Sequence, residues 1–272
     1  MTAPRMMAIG LLCGLGAAAA LAPVLVAADP LRQTLSDALL PPNADYWLGT
    51  DHLGRSVLAR VLHGAGHSLG IAAVSVAASV AIGGGLGVAA AMIGGITGRV
   101  IGAVVDATLA LPAFLVALMI AGSFVPGPLG MGIVIVATTW VEPCRVGLLT
   151  TARARRAAHV EAARLAGLPW PAVTTRLILP ALAGPLASLS GLMLGQVILT
   201  IAGLGFLGLG LRPPTPEWGA MISDALPYAG DQPGLVAVPA LAIMLTVGLL
   251  FVATGPTIDR AMPSHVPTRR SV

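Results

Sequence analysis

The sequence predicts an all-α membrane protein with six transmembrane helices, on three observations. Of its 272 residues, 56% are hydrophobic and only 10% are charged, whereas an ordinary soluble domain carries about a quarter charged residues. The apolar residues gather into six runs, each of roughly 20 residues or more, the length that spans a hydrocarbon core of about 30 Å. Polar connectors separate the runs, and most of the arginines fall in connectors that alternate between two sides.

The first run, Met6 to Ala28, follows Arg5 and is closed by Asp29-Pro30. A lone arginine before an alanine-rich stretch also fits a signal peptide, but the stretch is long for one and reads as a retained helix. Residues 29–66 are mixed and polar, with Pro41 and Pro42 followed by an interfacial helix from Arg55 to His63. The second span runs from Ser68 to Ile96, and a tight GGITGR turn then ends at Arg99. The third runs from Val100 to Phe124. The fourth starts after the Pro126-Gly127-Pro128 turn and reaches Leu149, with Glu142 and Arg145 near its end. The fifth runs from Ala181 to Leu211 and the sixth from Leu235 to Ile258. This divides the chain into an N-terminal helix and polar segment (1–66), a transmembrane domain (67–260) that contains a polar loop at 150–180, and a tail (261–272).

Connectors on the cytoplasmic side carry the excess positive charge. With the N-terminus inside, the inner side holds Arg5, Arg99, Arg145, Arg153, Arg155, Arg156, Arg164, Arg176, Arg260, Arg269 and Arg270, against Arg32, Arg55, Arg60 and Arg212 outside. The pairs Gly83 with Gly87 and Gly191 with Gly195 offer small-xxx-small faces for helix packing.

Several functions are excluded. All fifteen basic residues are arginine, so a GxxxxGK[ST] phosphate loop, which needs its lysine, is absent. The pI near 10 reflects arginines scattered between apolar runs without an aromatic platform, which does not suit nucleic acid. Cys13 and Cys144 lie apart with no CxxC spacing, so neither a disulfide framework nor a thiol metal site is indicated.

The stretch EAARLAGLPWPAVTTRLILP, Glu161 to Pro180, is an ordered, partly polar insertion between two apolar spans. His159 to Ala166 favours a helix, and Gly167 can take the left-handed conformation that ends one. Pro169 and Pro171 prevent its continuation, and Pro171 suits the first turn of a new short helix running to Leu179. Ala162 and Ala163 are small enough for a partner to come close, and Glu161 offers it a charge.

The spacing E-A-A, three residues, Gly167, nine residues, Leu177, Ile178, Leu179-Pro180 resembles the cytoplasmic loop by which permease subunits of bacterial ABC importers dock onto their ATPase subunits. Three further stretches resemble the dipeptide, oligopeptide and nickel permease family. They are WLGTDHLGRSVLAR (Trp47 to Arg60), RVIGAVVDATLALP (Arg99 to Pro112) and GFLGLGLRPPTPEWG (Gly205 to Gly219). Departures are Ser56, where relatives have aspartate after the GR pair, and the C-terminal end, where Gly255-Pro256 and Asp259-Arg260 replace G-D and R-D.

The resemblance implies a type I ABC importer permease fold in the bacterial inner membrane, with the N-terminus cytoplasmic. It implies a related second permease subunit, two ATPase subunits that bind the ATP and magnesium, and a periplasmic or lipoprotein binding protein. No cofactor is expected in this chain, and ATP-driven closure of the ATPases would tip the bundle between inward-open and outward-open. Peptide and metal-chelate cargo both remain open.

Polar groups inside spans are costly unless partnered. For Asp106 the readings are a structural ion pair with nearby Arg99 or a cargo contact. Gln196 presents an amide in a helix that lines the pathway in similar permeases, or makes an interhelical hydrogen bond. His63 and His67 have the i,i+4 spacing of two metal ligands but no visible third, and relatives have tyrosine at the first. A secondary transporter would show broken helices with ionisable groups at the midplane, and none is evident in the sequence. An intramembrane enzyme would need a nucleophile and base at matched depth, and the five histidines lie at or outside the span boundaries.

Overall fold

The computed structural model describes residues 3–21, 29–123 and 127–254. Ten helices organise them: α1 (Ala3–Ala20), α2 (Val57–Ile93), α3 (Gly95–Leu109), α4 (Ala113–Ser123), α5 (Pro128–Thr139), α6 (Val141–Arg155), α7 (Ala158–Leu165), α8 (Trp170–Phe206), α9 (Trp218–Ala225) and α10 (Gly234–Thr254). By length and composition, α2, α8 and α10 can each cross a membrane, and the bent pairs α3–α4 and α5–α6 raise the number of spans to as many as five. The all-α membrane class holds. Part of the first predicted span, residues 22–28, lies outside the described residues, as do Phe124, Pro126, the Gly255-Pro256 and Asp259-Arg260 departures and the tail.

Three predicted boundaries are corrected. The interfacial helix and the second span are one helix of 37 residues, about 55 Å long at 1.5 Å per residue. Nothing between His63 and Ser68 breaks it, because Gly64 and Gly66 keep their backbone hydrogen bonds and cost only propensity. The turn after it is also shorter than predicted. Gly94 and Gly95 hold φ of +66° and +57°, which a Cβ would disfavour, so α3 already begins at Gly95. Finally, the helix of the fourth span continues past Leu149 to Arg155, so Glu142 and Arg145 lie well inside the α5–α6 unit.

The breaks follow the prolines. α3 and α4 meet at 88°, where Pro112 lacks an N–H and restricts Leu111 before it. α5 and α6 meet at 41°, where Pro143 cannot donate to the Thr139 carbonyl and crowds it. The Thr139 hydroxyl instead pairs with that of Ser79 on α2 at 2.7 Å.

α2 is the central helix, and its N-terminus explains the Trp47 to Arg60 stretch. The Asp51 carboxylate accepts the N–H groups of Leu53 and Arg55 at 2.9 and 3.0 Å. It also holds the Arg55 and Arg60 guanidiniums at 2.6 and 3.4 Å. Ser56 caps α2 by accepting the Ala59 N–H at 3.4 Å. In the Gly205 to Gly219 stretch, buried Glu217 caps α9 through the N–H groups of Gly219 and Ala220, and burial pushes its carboxyl above the usual range. The Trp218 indole donates to the Val61 carbonyl at 3.0 Å, tying α9 to α2.

Both small-residue faces pack as expected. A Cβ on Gly83 would overlap the Trp140 carbonyl, and one on Gly87 would overlap the Cys144 carbonyl. From the other side, a Cβ on Gly147 would lie 2.7 Å from the Gly84 oxygen. α2 and α6 therefore touch backbone to backbone. Gly191 lies against the Thr254 side chain, and Gly195 would meet Val247 at an ordinary 3.5 Å.

Gly87→Leu should cost at least about 1–3 kcal/mol of overpacking, read as a lower midpoint of thermal unfolding in detergent. Gly85→Leu, whose Cβ meets nothing within 4 Å, should melt like the unaltered protein.

Candidate functional site

The polar insertion is built on α6, α7 and the start of α8. α7 ends in a Schellman turn: the Leu168 N–H bonds the Ala163 carbonyl at 3.0 Å, and the Gly167 N–H bonds that of Arg164 at 3.0 Å. Gly167 holds φ +89°, the left-handed conformation predicted for it. Pro169 then serves as N-cap of α8, with Pro171 in its first turn.

The short helix predicted to stop at Leu179 does not stop. Thr174–Ile178 form a π-helical turn, in which the Leu179 N–H reaches back to the Thr174 carbonyl. That wider turn makes room for the ring of Pro180 and leaves no N–H of its own unsatisfied, so the helix passes through to Phe206. α7 is thus joined through residues 166–169 to a helix long and apolar enough to cross a membrane.

Burial sorts the residues of the insertion. Val160, Val173, Ile178 and Leu182 are buried with Val88 of α2, and Leu168, Trp170 and Leu177 pack against them. On the other side of α7, Ala158, Glu161, Ala162 and Leu165 are exposed at i, i+3, i+4 and i+7 spacing, one helical face. Ala163 is half-buried, and Leu179 and Pro180 are exposed on α8.

Two features of this unit escaped sequence reasoning. Leu165 is 84% exposed, and an aliphatic residue four after Glu161 was the available signal. The other is a cluster around Trp170. The guanidiniums of Arg155 and Arg164 lie over its ring at 5.0 and 4.6 Å. Arg155 also donates to the carbonyls of Ala91 and Met92 at the end of α2, and Arg164 donates to the Leu168 carbonyl. Side-chain direction alone brings these residues together, so no spacing in the sequence could reveal them.

The remaining polar residues are not gathered with this unit. Asp106 faces Arg145 at 3.8 Å, with both side chains more than half exposed, while the predicted partner Arg99 turns to the Gly95 carbonyl. Gln196 is exposed on α8, in a stripe with Ala181, Pro185, Ser188, Leu192 and Leu199. His63 and His67 each bond a carbonyl one turn back, those of Ala59 and His63, at 2.8 and 3.0 Å through Nδ1. No group of three or more His, Cys, Asp or Glu able to hold a metal occurs among the described residues.

Residues 83–262 match the family described as binding-protein-dependent transport system inner membrane component. The chain is 36% identical over 235 residues to the di/tripeptide transport system permease protein DppC of Pseudomonas aeruginosa (strain UCBPP-PA14), covering 83% of this chain and 77% of the relative. It is 43% identical over 229 residues to the dipeptide transport system permease protein DppC of Escherichia coli (strain K12), with 80% and 75% covered. To the nickel transport system permease protein NikC of Escherichia coli (strain K12) it is 29% identical over 243 residues, with 89% and 87% covered.

Trp170→Ala should free both arginines and loosen α7, at about 1–2 kcal/mol for each lost cation–π contact, seen as faster proteolysis after Arg153 to Arg164 in the folded protein. Trp170→Phe should keep most of the protection.

Proposed function

The chain belongs to the family of binding-protein-dependent transport system inner membrane components, and from this premise we propose how it works in an importer. It is the transmembrane permease subunit of an ATP-driven ABC importer and performs no bond chemistry itself. The observation that carries the reading is the exposed α7 face of Glu161, Ala162 and Leu165. It is set by the hydrogen-bonded Gly167 turn and joined through that turn to the spanning helix α8.

Two separate ATPase subunits bind ATP and magnesium and receive this face, with Leu165 as an apolar peg and Glu161 as a charge for a basic groove. ATP stabilises one state of the ATPases over the other, and α7 passes that free-energy difference to α8 and, through Arg155, to α2. A related second permease subunit completes the pathway, and a binding protein delivers cargo from the periplasmic side. Six spans in a type I fold, with α1 as the first, agree with a cytoplasmic N-terminus and with the arginine distribution. In this reading residues 1–66 precede a transmembrane domain of 67–260 that carries the 150–180 loop. The exposed stripe of α8 around Gln196 faces the pathway.

The relatives are named for peptides and for nickel, and cargo of either kind suits a permease whose binding protein makes the first selection. The broken helices set aside from sequence are present here, so a secondary transporter is no longer disfavoured on that ground. Against it stand the family match and the α7 face, which an ion-coupled carrier would not need.

Purified alone, the chain should hydrolyse no ATP. Assembled with its partner permease and ATPases, it should show hydrolysis stimulated by loaded binding protein. Glu161→Arg and Leu165→Asp should each cut that stimulation about tenfold or more, the loss expected of an interface anchor, while membrane insertion stays normal. Gly167→Val should uncouple uptake from hydrolysis. Uptake in liposomes without any ATPase, driven by an ion gradient, would sink this reading.

A cysteine in Ala158→Cys should react with a membrane-impermeant thiol reagent only after the membrane is opened. Labelling in intact cells would overturn the N-inside arrangement.

A further inference from the structure

Glu142 sits about 20 Å of helix from either end of the α5–α6 unit, at 1.5 Å per residue, just past the bend between α5 and α6. It is half-buried. Arg145, one turn further along α6, is drawn to Asp106 at 3.8 Å. The Glu142 carboxylate has no ion-pair or hydrogen-bond partner among the described residues.

Glu142 lines a cavity of about 180 Å³ at the 88° break between α3 and α4, with Thr108, Leu111, Ala113, Thr138 and Val141. The Thr108 and Thr138 hydroxyls donate to the carbonyls of Val104 and Val134 at 2.8 and 3.1 Å, which leaves their lone pairs free to accept. α3 ends at Leu109 beside this cavity, and the C-terminal end of a helix carries partial negative charge. The positive N-terminal end of α4, which starts at Ala113, borders the same cavity and offsets it, so it is the carboxylate and the hydroxyl oxygens that favour a cation. A carboxylate within an apolar span is costly against lipid, so it belongs on a water-filled face.

The available donors are oxygens. Neighbouring Cys144 is buried, packs with Val105 and Val141, and does not line this cavity. Transition metals favour imidazole and thiolate, whereas an ammonium needs only acceptors. The volume is ample for an ammonium head group with its waters.

We propose that Glu142 and the α3–α4 break form a binding point for an organic ammonium group, the N-terminal ammonium of a peptide-like cargo crossing the membrane. This rests on reading the chain as an importer subunit, and it adds a charge filter inside the permease to the selection made by the binding protein.

Dicyclohexylcarbodiimide labelling of Glu142, read by mass spectrometry on the assembled transporter in nanodiscs, tests the site without ATP turnover. Alanylalanine should protect Glu142 at a concentration about tenfold or more below that of N-acetyl-alanylalanine, since only the first makes a charge-assisted contact. Equal protection by both peptides, or by neither, overturns the site. Protection by Ni²⁺ alone overturns the ammonium assignment. In ATP-driven uptake of alanylalanine, Glu142→Gln should raise KM about tenfold with a smaller change in kcat, and Glu142→Asp should recover part of the loss. An unchanged KM in Glu142→Gln also overturns the proposal. If alanylalanine protects Glu142 but no ATP-driven uptake occurs, the importer reading fails and the site stands.

Discussion

The backbone contact between α2 and α6 governs how the rest of this protein is arranged. Lipid tails are as apolar as leucine, so helices in a bilayer are held by close packing rather than by escape from water. Gly83 and Gly87 meet Trp140 and Cys144, and Gly147 meets Gly84, with no room for a single added carbon. That contact fixes α6 against α2, one of the two 37-residue helices among the described residues. The far end of α6 in turn carries α7, and its near end carries Glu142 and the kink at Pro143.

The unit around α7 extends this logic beyond the apolar helices. Arg155, the last residue of α6, reaches the free carbonyls at the end of α2 and the ring of Trp170 at the start of α8. A helix end leaves carbonyls without intrahelical partners, and here a guanidinium satisfies two of them while spanning three elements. Arg164 closes the same ring from α7. The exposed face of α7 is therefore mounted on a frame whose parts end in α2, α6 and α8, and the π-turn at Thr174–Ile178 lets α8 continue past Pro180. A load applied to Leu165 has a short, stiff route into the membrane.

Charge and ring nitrogen along the helices are partnered unevenly. Asp106 and Arg145 satisfy each other at the α3–α6 contact, and the two histidines of α2 are tied to their own helix. Glu142 alone among these is left with a cavity in place of a partner. Since an unpaired carboxylate within an apolar span destabilises the fold, its place beside a proline break, where backbone polarity is already concentrated, marks it as a group retained for contact with something that passes.

The sequence by itself determined the membrane class, the course of the main apolar runs, the arginine asymmetry and the position of α7 with its Gly167 turn. All of these rest on local chemistry: hydropathy summed over a window, a positive φ that favours glycine, and prolines that lack a donor. The tertiary structure decided what depends on neighbours. It made α2 continuous through His63, carried α8 past Leu179, gave Asp106 to Arg145 and joined Arg155 and Arg164 on Trp170. It also continued the helix past Leu149 to Arg155, which leaves Glu142 well inside the α5–α6 unit. Each of those outcomes turns on which side chain or carbonyl lies across the helix interface, and a linear pattern of residue types holds no information about that distance.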